Sequence, residues 1–134
     1  PEPHMAVGMD INPEYVAMAN AAAREREAFS FVEGDITKDN PAAFGAFDTI
    51  VCMETLEHLG ADWHPVLETL FGTVAAGGRL IITVPANTHI SDEDHKHIFY
   101  REQLLRELPD LKWIPNMPHI WIGFWLSREE HAQS

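Results

Sequence analysis

Phe47-Asp48-Thr49-Ile50-Val51-Cys52-Met53-Glu54-Thr55-Leu56-Glu57-His58-Leu59 is the stretch that decides the fold. Residues 47–53 read as a strand, apolar on both faces after Asp48. Such a run suits a parallel strand covered on two sides. Residues 55–59 then read as a turn of helix. Downstream, Val66, Leu67, Leu70 and Val74 recur at helical spacing, so residues 62–75 read as a helix that Ala76-Gly77-Gly78 ends. Residues 79–84 form the next strand, closed by Pro85.

The same alternation holds upstream. Residues 6–10 are a short apolar run ending in Asp10, and Asn12-Pro13-Glu14 supplies a helix start: a cap, a proline at the first helical position, an acid in the first turn. That helix is expected to run to about Arg26 and to turn Tyr15, Val16, Met18 and Ala19 toward a core. Residues 29–33 read as a strand stopped by Gly34-Asp35, and residues 37–45 as a loop with a short helix. Beyond Pro85, residues 86–97 read as a polar loop and residues 101–108 as a short helix. Residues 112–114 and 119–126 read as two strands joined through Pro115 and Pro118, an antiparallel edge hairpin. Strands alternating with helices imply an α/β fold with a mainly parallel sheet and helices on both faces.

With 134 residues and 46% hydrophobic side chains the chain can build one domain with a core, and it is expected to form a single domain over residues 1–134. Residues 1–4, ahead of Met5, read as an expression scar. The apolar runs at residues 78–84 and 120–126 are too short to span a bilayer, so no membrane association is expected. The single Cys52 fits a reducing, cytoplasmic setting. A formal net charge of −12 without a basic stripe argues against a nucleic-acid partner.

Four segments in order resemble the Rossmann-like, class I S-adenosylmethionine-dependent methyltransferases. Val7-Gly8-Met9-Asp10-Ile11-Asn12-Pro13 is similar to their second strand, and Phe31-Val32-Glu33-Gly34-Asp35-Ile36 to their third. Residues 47–59 resemble their fourth strand and the turn after it, and residues 75–85 their glycine turn and fifth strand. The resemblance implies S-adenosylmethionine as cofactor and places Asp10, Ile11, Asp35, Ile36, Met53 and Glu54 around it. An acid at a strand end can accept both hydroxyls of a ribose, which suits Asp10. Asp35 would accept the adenine amino group, with Ile36 against the ring. Met53 and Glu54 would floor the same crevice.

The chain departs from the family in one respect. No Gly-x-Gly-type turn precedes Asp10, so the domain is expected to be truncated, without the usual first strand and its glycine-rich loop. In the family that strand lies between the second and fourth, and an open central strand edge is unstable in water. Direct pairing of the flanking strands, a homodimer covering the gap, or origin as a fragment would each resolve it.

Glu54, Glu57 and His58 stand at i, i+3, i+4 and would share a face of one helical turn. With a fourth ligand from the run Asp92-Glu93-Asp94-His95-Lys96-His97 they would suit a divalent ion such as Mg²⁺. The pattern resembles the Leu-Glu-His turn of ubiquinone-biosynthesis O-methyltransferases. It also resembles the Glu-x-x-Glu-His turn and later Asp-His of 2'-O-methyltransferases acting on small-RNA 3' ends, which Glu54, Glu57, His58 and His95 match, with Tyr100-Arg101-Glu102 where their next helix begins. That resemblance implies Glu54, Glu57, His58 and His95 as the metal set; without metal, His58 or His95 would be the general base. His97 and Phe99 read as loop anchors, and Trp113, Trp121, Phe124 and Trp125 as sheet packing. The expected function is O-methylation of a small-molecule acceptor. The alternatives are a degenerate module without activity of its own and a metal-dependent RNA 2'-O-methyltransferase.

Overall fold

The computed structural model describes residues 5–86 and 95–130. Residues 1–4, read from the sequence as a scar, the acids at 92–94 and residues 131–134 lie outside them. The chain divides into two compact units, Pro1–Asn40 and Pro41–Ser134.

The first unit holds β1 (Ala6–Asp10), α1 (Pro13–Ala22) and β2 (Phe29–Glu33). Asn12 caps α1, its side chain accepting the Glu14 N–H at 2.9 Å, with Pro13 in the first turn. The two strands are parallel, with Gly8 opposite Phe31 and Asp10 opposite Glu33. Two expectations for α1 are corrected. It stops at Ala22, not near Arg26, because the chain must turn back for Ala28 to reach the first strand, where its carbonyl accepts the Ala6 N–H at 2.8 Å. Tyr15 and Met18 do not enter a core but are exposed. Val16, Ala19 and Ala23 form the half-buried stripe, three to four residues apart, and the helix packs on β2. From that helix the Asn20 carboxamide donates to the Phe31 carbonyl at 2.9 Å and accepts the Phe31 N–H at 3.0 Å. One side chain thereby satisfies a strand residue that β1 does not.

The second unit holds β3 (Phe47–Met53), α2 (Trp63–Thr73), β4 (Val74–Pro85), α3 (Arg101–Glu107), β5 (Lys112–Trp113) and β6 (Trp121–Ser127). Its sheet order is β3-β4-β6-β5, parallel between β3 and β4 and antiparallel elsewhere. The final hairpin is as expected, with β6 inside the sheet and β5 at its edge. Leu80, Ile82 and Val84 alternate into the core with Ile122, Phe124 and Leu126, and α2 adds Val66, Leu67 and Leu70.

Three expectations change here. Val51 and Met53 are 55% and 61% exposed, so β3 is covered on its Cys52 face and not on both. Helix α2 ends at Thr73, before Ala75, because Val74 turns extended, buries its side chain and pairs with Phe47. The glycines therefore do not end the helix but make the bend inside β4: Gly77 holds φ +80°, and a Cβ on Gly78 would collide with the Asp48 carbonyl. Arg128 closes this corner, its Nη1 donating to Gly72 O at 3.0 Å and Val74 O at 2.8 Å, carbonyls left open at the helix end.

The described strands thus form a two-stranded sheet, β1-β2, in the first unit and a four-stranded sheet in the second. Among the described residues no helix is long and apolar enough to cross a membrane.

Candidate active site

In the first unit Asp10 ends β1 on an exposed position, its Oδ1 accepting the Asn12 N–H at 2.8 Å. Ile11, next to it, is exposed. Asp35 follows β2. Its Oδ1 accepts the Thr37 N–H at 2.9 Å and the Thr37 hydroxyl at 2.6 Å, and its own N–H donates to Asp39 Oδ2 at 2.7 Å. The Thr37 bonds hold the Asp35 carboxyl below its ordinary range, with Lys38 at 3.9 Å assisting. Ile36 is half-buried beside it.

In the second unit the chemistry follows β3. Met53 is exposed at the strand end, where its carbonyl accepts the Thr55 hydroxyl at 3.1 Å. Glu54 leaves the strand at φ +50°, its N–H still donating to Thr83 O at 2.9 Å. Left-handed backbone is uncommon for such a residue. The expected single helical turn is corrected: Leu56–His58 is a short 3-10 turn, and Glu54 lies before it in the left-handed conformation. Glu57 is 1% exposed, and its Oε1 lies 3.4 Å from His58 Nε2.

His95 reaches this turn through main-chain bonds that no side-chain motif announces. The N–H groups of Lys96 and His97 both donate to the Glu57 carbonyl, at 2.7 and 3.1 Å. Phe99 is buried and bridges Ala86, and the His97 ring packs tilted on Trp63 and edge-on to Phe99, at centroid distances of 5.4 and 4.5 Å, the three rings forming one cluster. The His95 ring then meets the His58 ring edge-on, with centroids 5.0 Å apart. Ligand-type atoms of Glu57, His58 and His95 lie within 4.8 Å of one another, and Glu54 is not in that group. Burial pushes the Glu54 carboxyl up, against the opposing pull of His95 and His58. Burial likewise pushes the Cys52 thiol up, to about 11.

The strand-end acids and the glycine bend are the geometry on which a family comparison bears. Residues 3–82 match the family model of the methyltransferase domain. The chain belongs to the class I S-adenosylmethionine-dependent methyltransferase family. No curated protein matches this methyltransferase domain in sequence. Among solved structures it is similar to the N-methyltransferase NodS from Bradyrhizobium japonicum WM9. The TM-score is 0.74 at 16% identity, over 94% of this chain and 74% of that one. The same enzyme in complex with S-adenosyl-L-homocysteine gives 0.73 at 17%, over 94% and 67%. The small RNA methyltransferase HEN1 gives 0.71 at 19%, over 95% of this chain and 20% of that one. At these identities the likeness shows the fold, an α/β Rossmann-like one.

Proposed function

We propose that this domain methylates an oxygen nucleophile of a small molecule, with His58 as the general base. The observation that carries the reading is the buried Glu57 carboxylate 3.4 Å from His58 Nε2, with His95 held against the same ring. A carboxylate behind an imidazole fixes its orientation and stabilises the imidazolium formed when it takes a proton. S-adenosylmethionine, when bound, supplies an electrophilic methyl group on a sulfonium. The residues of this chain orient the acceptor and remove its proton as its oxygen attacks. His58 takes that proton and Glu57 steadies the charge.

The strand-end acids fit the nucleoside part of the cofactor. Asp10 spends one oxygen on the Asn12 N–H, and Oδ2 remains to accept ribose hydroxyls. Asp35 is kept ionised by Thr37 and suits the adenine amino group, with Ile36 against the ring. Ile11, exposed beside Asp10, offers an apolar edge.

The test is calorimetry with S-adenosylhomocysteine, followed by transfer of labelled methyl from S-adenosylmethionine to phenolic acceptors. His58→Ala should lower the transfer rate about 10²- to 10⁴-fold with cofactor affinity kept. An unchanged rate would remove His58 from the chemistry.

A second reading rests on the compact Glu57, His58 and His95 group. One carboxylate and two imidazoles fit a divalent ion with open positions for an acceptor, where the ion would lower the pKa of a bound hydroxyl. Manganese titration by calorimetry, repeated with Glu57→Ala and His58→Ala, decides it. Equal affinity in all three proteins excludes the site.

A further inference from the structure

The His58 side chain is 42% exposed, whereas the Glu57 carboxylate beside it is buried. A ring that open to water keeps one orientation only if the carboxylate behind it keeps one place. Glu57 sits in a turn of three residues, Leu56–His58. Its carbonyl is held from outside that turn, by the N–H groups of Lys96 and His97. Those two residues must themselves be held. The His97 ring lies against Trp63 and Phe99, both buried, which fixes its plane. Its Nε2 lies 3.5 Å from Nε2 of Gln103, on α3. A carboxamide nitrogen donates, so the ring nitrogen accepts, and neutral His97 then carries its proton on Nδ1. Gln103 Oε1 is buried, and among the described residues no donor reaches it. A buried acceptor without a partner destabilises the fold, and an apolar side chain of like size would not. Stability therefore does not explain an amide at this position, whereas its contact with the His97 ring does.

Resting on the reading of His58 as general base, we propose that Gln103 and His97 are positioning residues for it. The Gln103 amide fixes the His97 ring. The ring fixes the main chain whose N–H groups hold the Glu57 carbonyl, and the same segment carries His95 to the His58 ring. Glu57 then keeps its carboxylate 3.4 Å from His58 Nε2. Without the amide the two N–H groups loosen and the base loses its alignment. Removing the amide therefore slows proton removal and leaves cofactor binding as it was.

The test is NMR on the full chain with isotope-labelled histidine. In the parent, His97 should show a protonated Nδ1 and an unprotonated Nε2, and a cross-peak should join the His58 and His95 rings. In Gln103→Leu the His97 proton should move toward Nε2. Exchange of the Lys96 and His97 amides should quicken about tenfold, and the ring cross-peak should weaken. The melting temperature should stay at or above that of the parent, because the orphaned oxygen is gone. In methyl transfer from S-adenosylmethionine to phenol, Gln103→Leu should lower kcat about tenfold with the KM for S-adenosylmethionine unchanged. His97→Phe should do the same, and the double variant should be no slower than His97→Phe alone, since both residues act through one link. A protonated Nε2 in the parent, unchanged amide exchange or kcat in Gln103→Leu, or additive losses in the double variant would each overturn the proposal. So would a lower melting temperature of Gln103→Leu, which makes the role of the amide structural. A parent that transfers no methyl strikes His58 as base, and the exchange and cross-peak results then decide the Gln103–His97 link by themselves.

Discussion

The two units of this chain use the same local devices and arrive at different ends. Each has parallel strands and a helix between them. Among the described residues, every buried apolar side chain belongs to Pro41–Ser134, and α1 of the first unit buries none. A cap, a proline and an alternating strand suffice to specify an element. A core needs enough neighbouring surface to remove side chains from water, and two strands with one helix offer little. The first unit is held instead by polar bonds such as those between Asn20 and Phe31.

The contrast can be broken or sharpened by substitution. The largest effect is expected at Phe124, fully buried in β6. Phe124→Ala should lower stability by about 3–5 kcal/mol in urea unfolding, whereas Val16→Ala in α1 should change it by less than about 1 kcal/mol. Equal losses would mean that α1 is held by apolar burial as strongly as β6 is. Next comes the corner closed by Arg128: Arg128→Met should reduce stability by about 1–3 kcal/mol through the Gly72 and Val74 carbonyls it leaves without a partner. In the first unit, Asn20→Ala should cost about 1 kcal/mol, and hydrogen exchange should show the loss at the Phe31 amide.

Two titration effects follow. With its thiol pushed up to about 11, native Cys52 should react with a disulfide reagent at pH 8 about a hundredfold more slowly than in the unfolded chain. The smallest effect concerns Asp35, whose carboxyl is lowered by its Thr37 bonds. Its stabilising contribution is present above the ordinary carboxylate range and is lost as the pH falls through the lowered value. Asp35→Asn should therefore flatten the acid limb of the stability profile.

Much of this arrangement was legible in the residues. Asn12-Pro13 marked the start of α1, and the apolar run after Asp48 marked β3. The order of four segments gave the family. The misreadings have physical causes. Helical spacing around Tyr15 and Met18 says that a stripe exists, not that anything covers it. Gly77-Gly78 looks like a helix stop because glycine serves both helix ends and bends, and Val74 had already left the helix. Of the four residues grouped from the sequence, Glu57, His58 and His95 come together and Glu54 stands outside. What no residue type encodes is how His95 is brought there, by the Lys96 and His97 N–H groups bonding the Glu57 carbonyl. The positive φ of Glu54 is likewise set by the turn and not by its side chain.

The claim that the strand-end acids of the first unit serve the cofactor while His58 serves the acceptor is tested most directly by S-adenosylhomocysteine calorimetry on four proteins. The account predicts saturable binding by the parent and by His58→Ala, and binding weakened at least tenfold in Asp10→Ala and in Asp35→Ala. No heat at millimolar ligand with the parent, or equal affinity across all four, would contradict it.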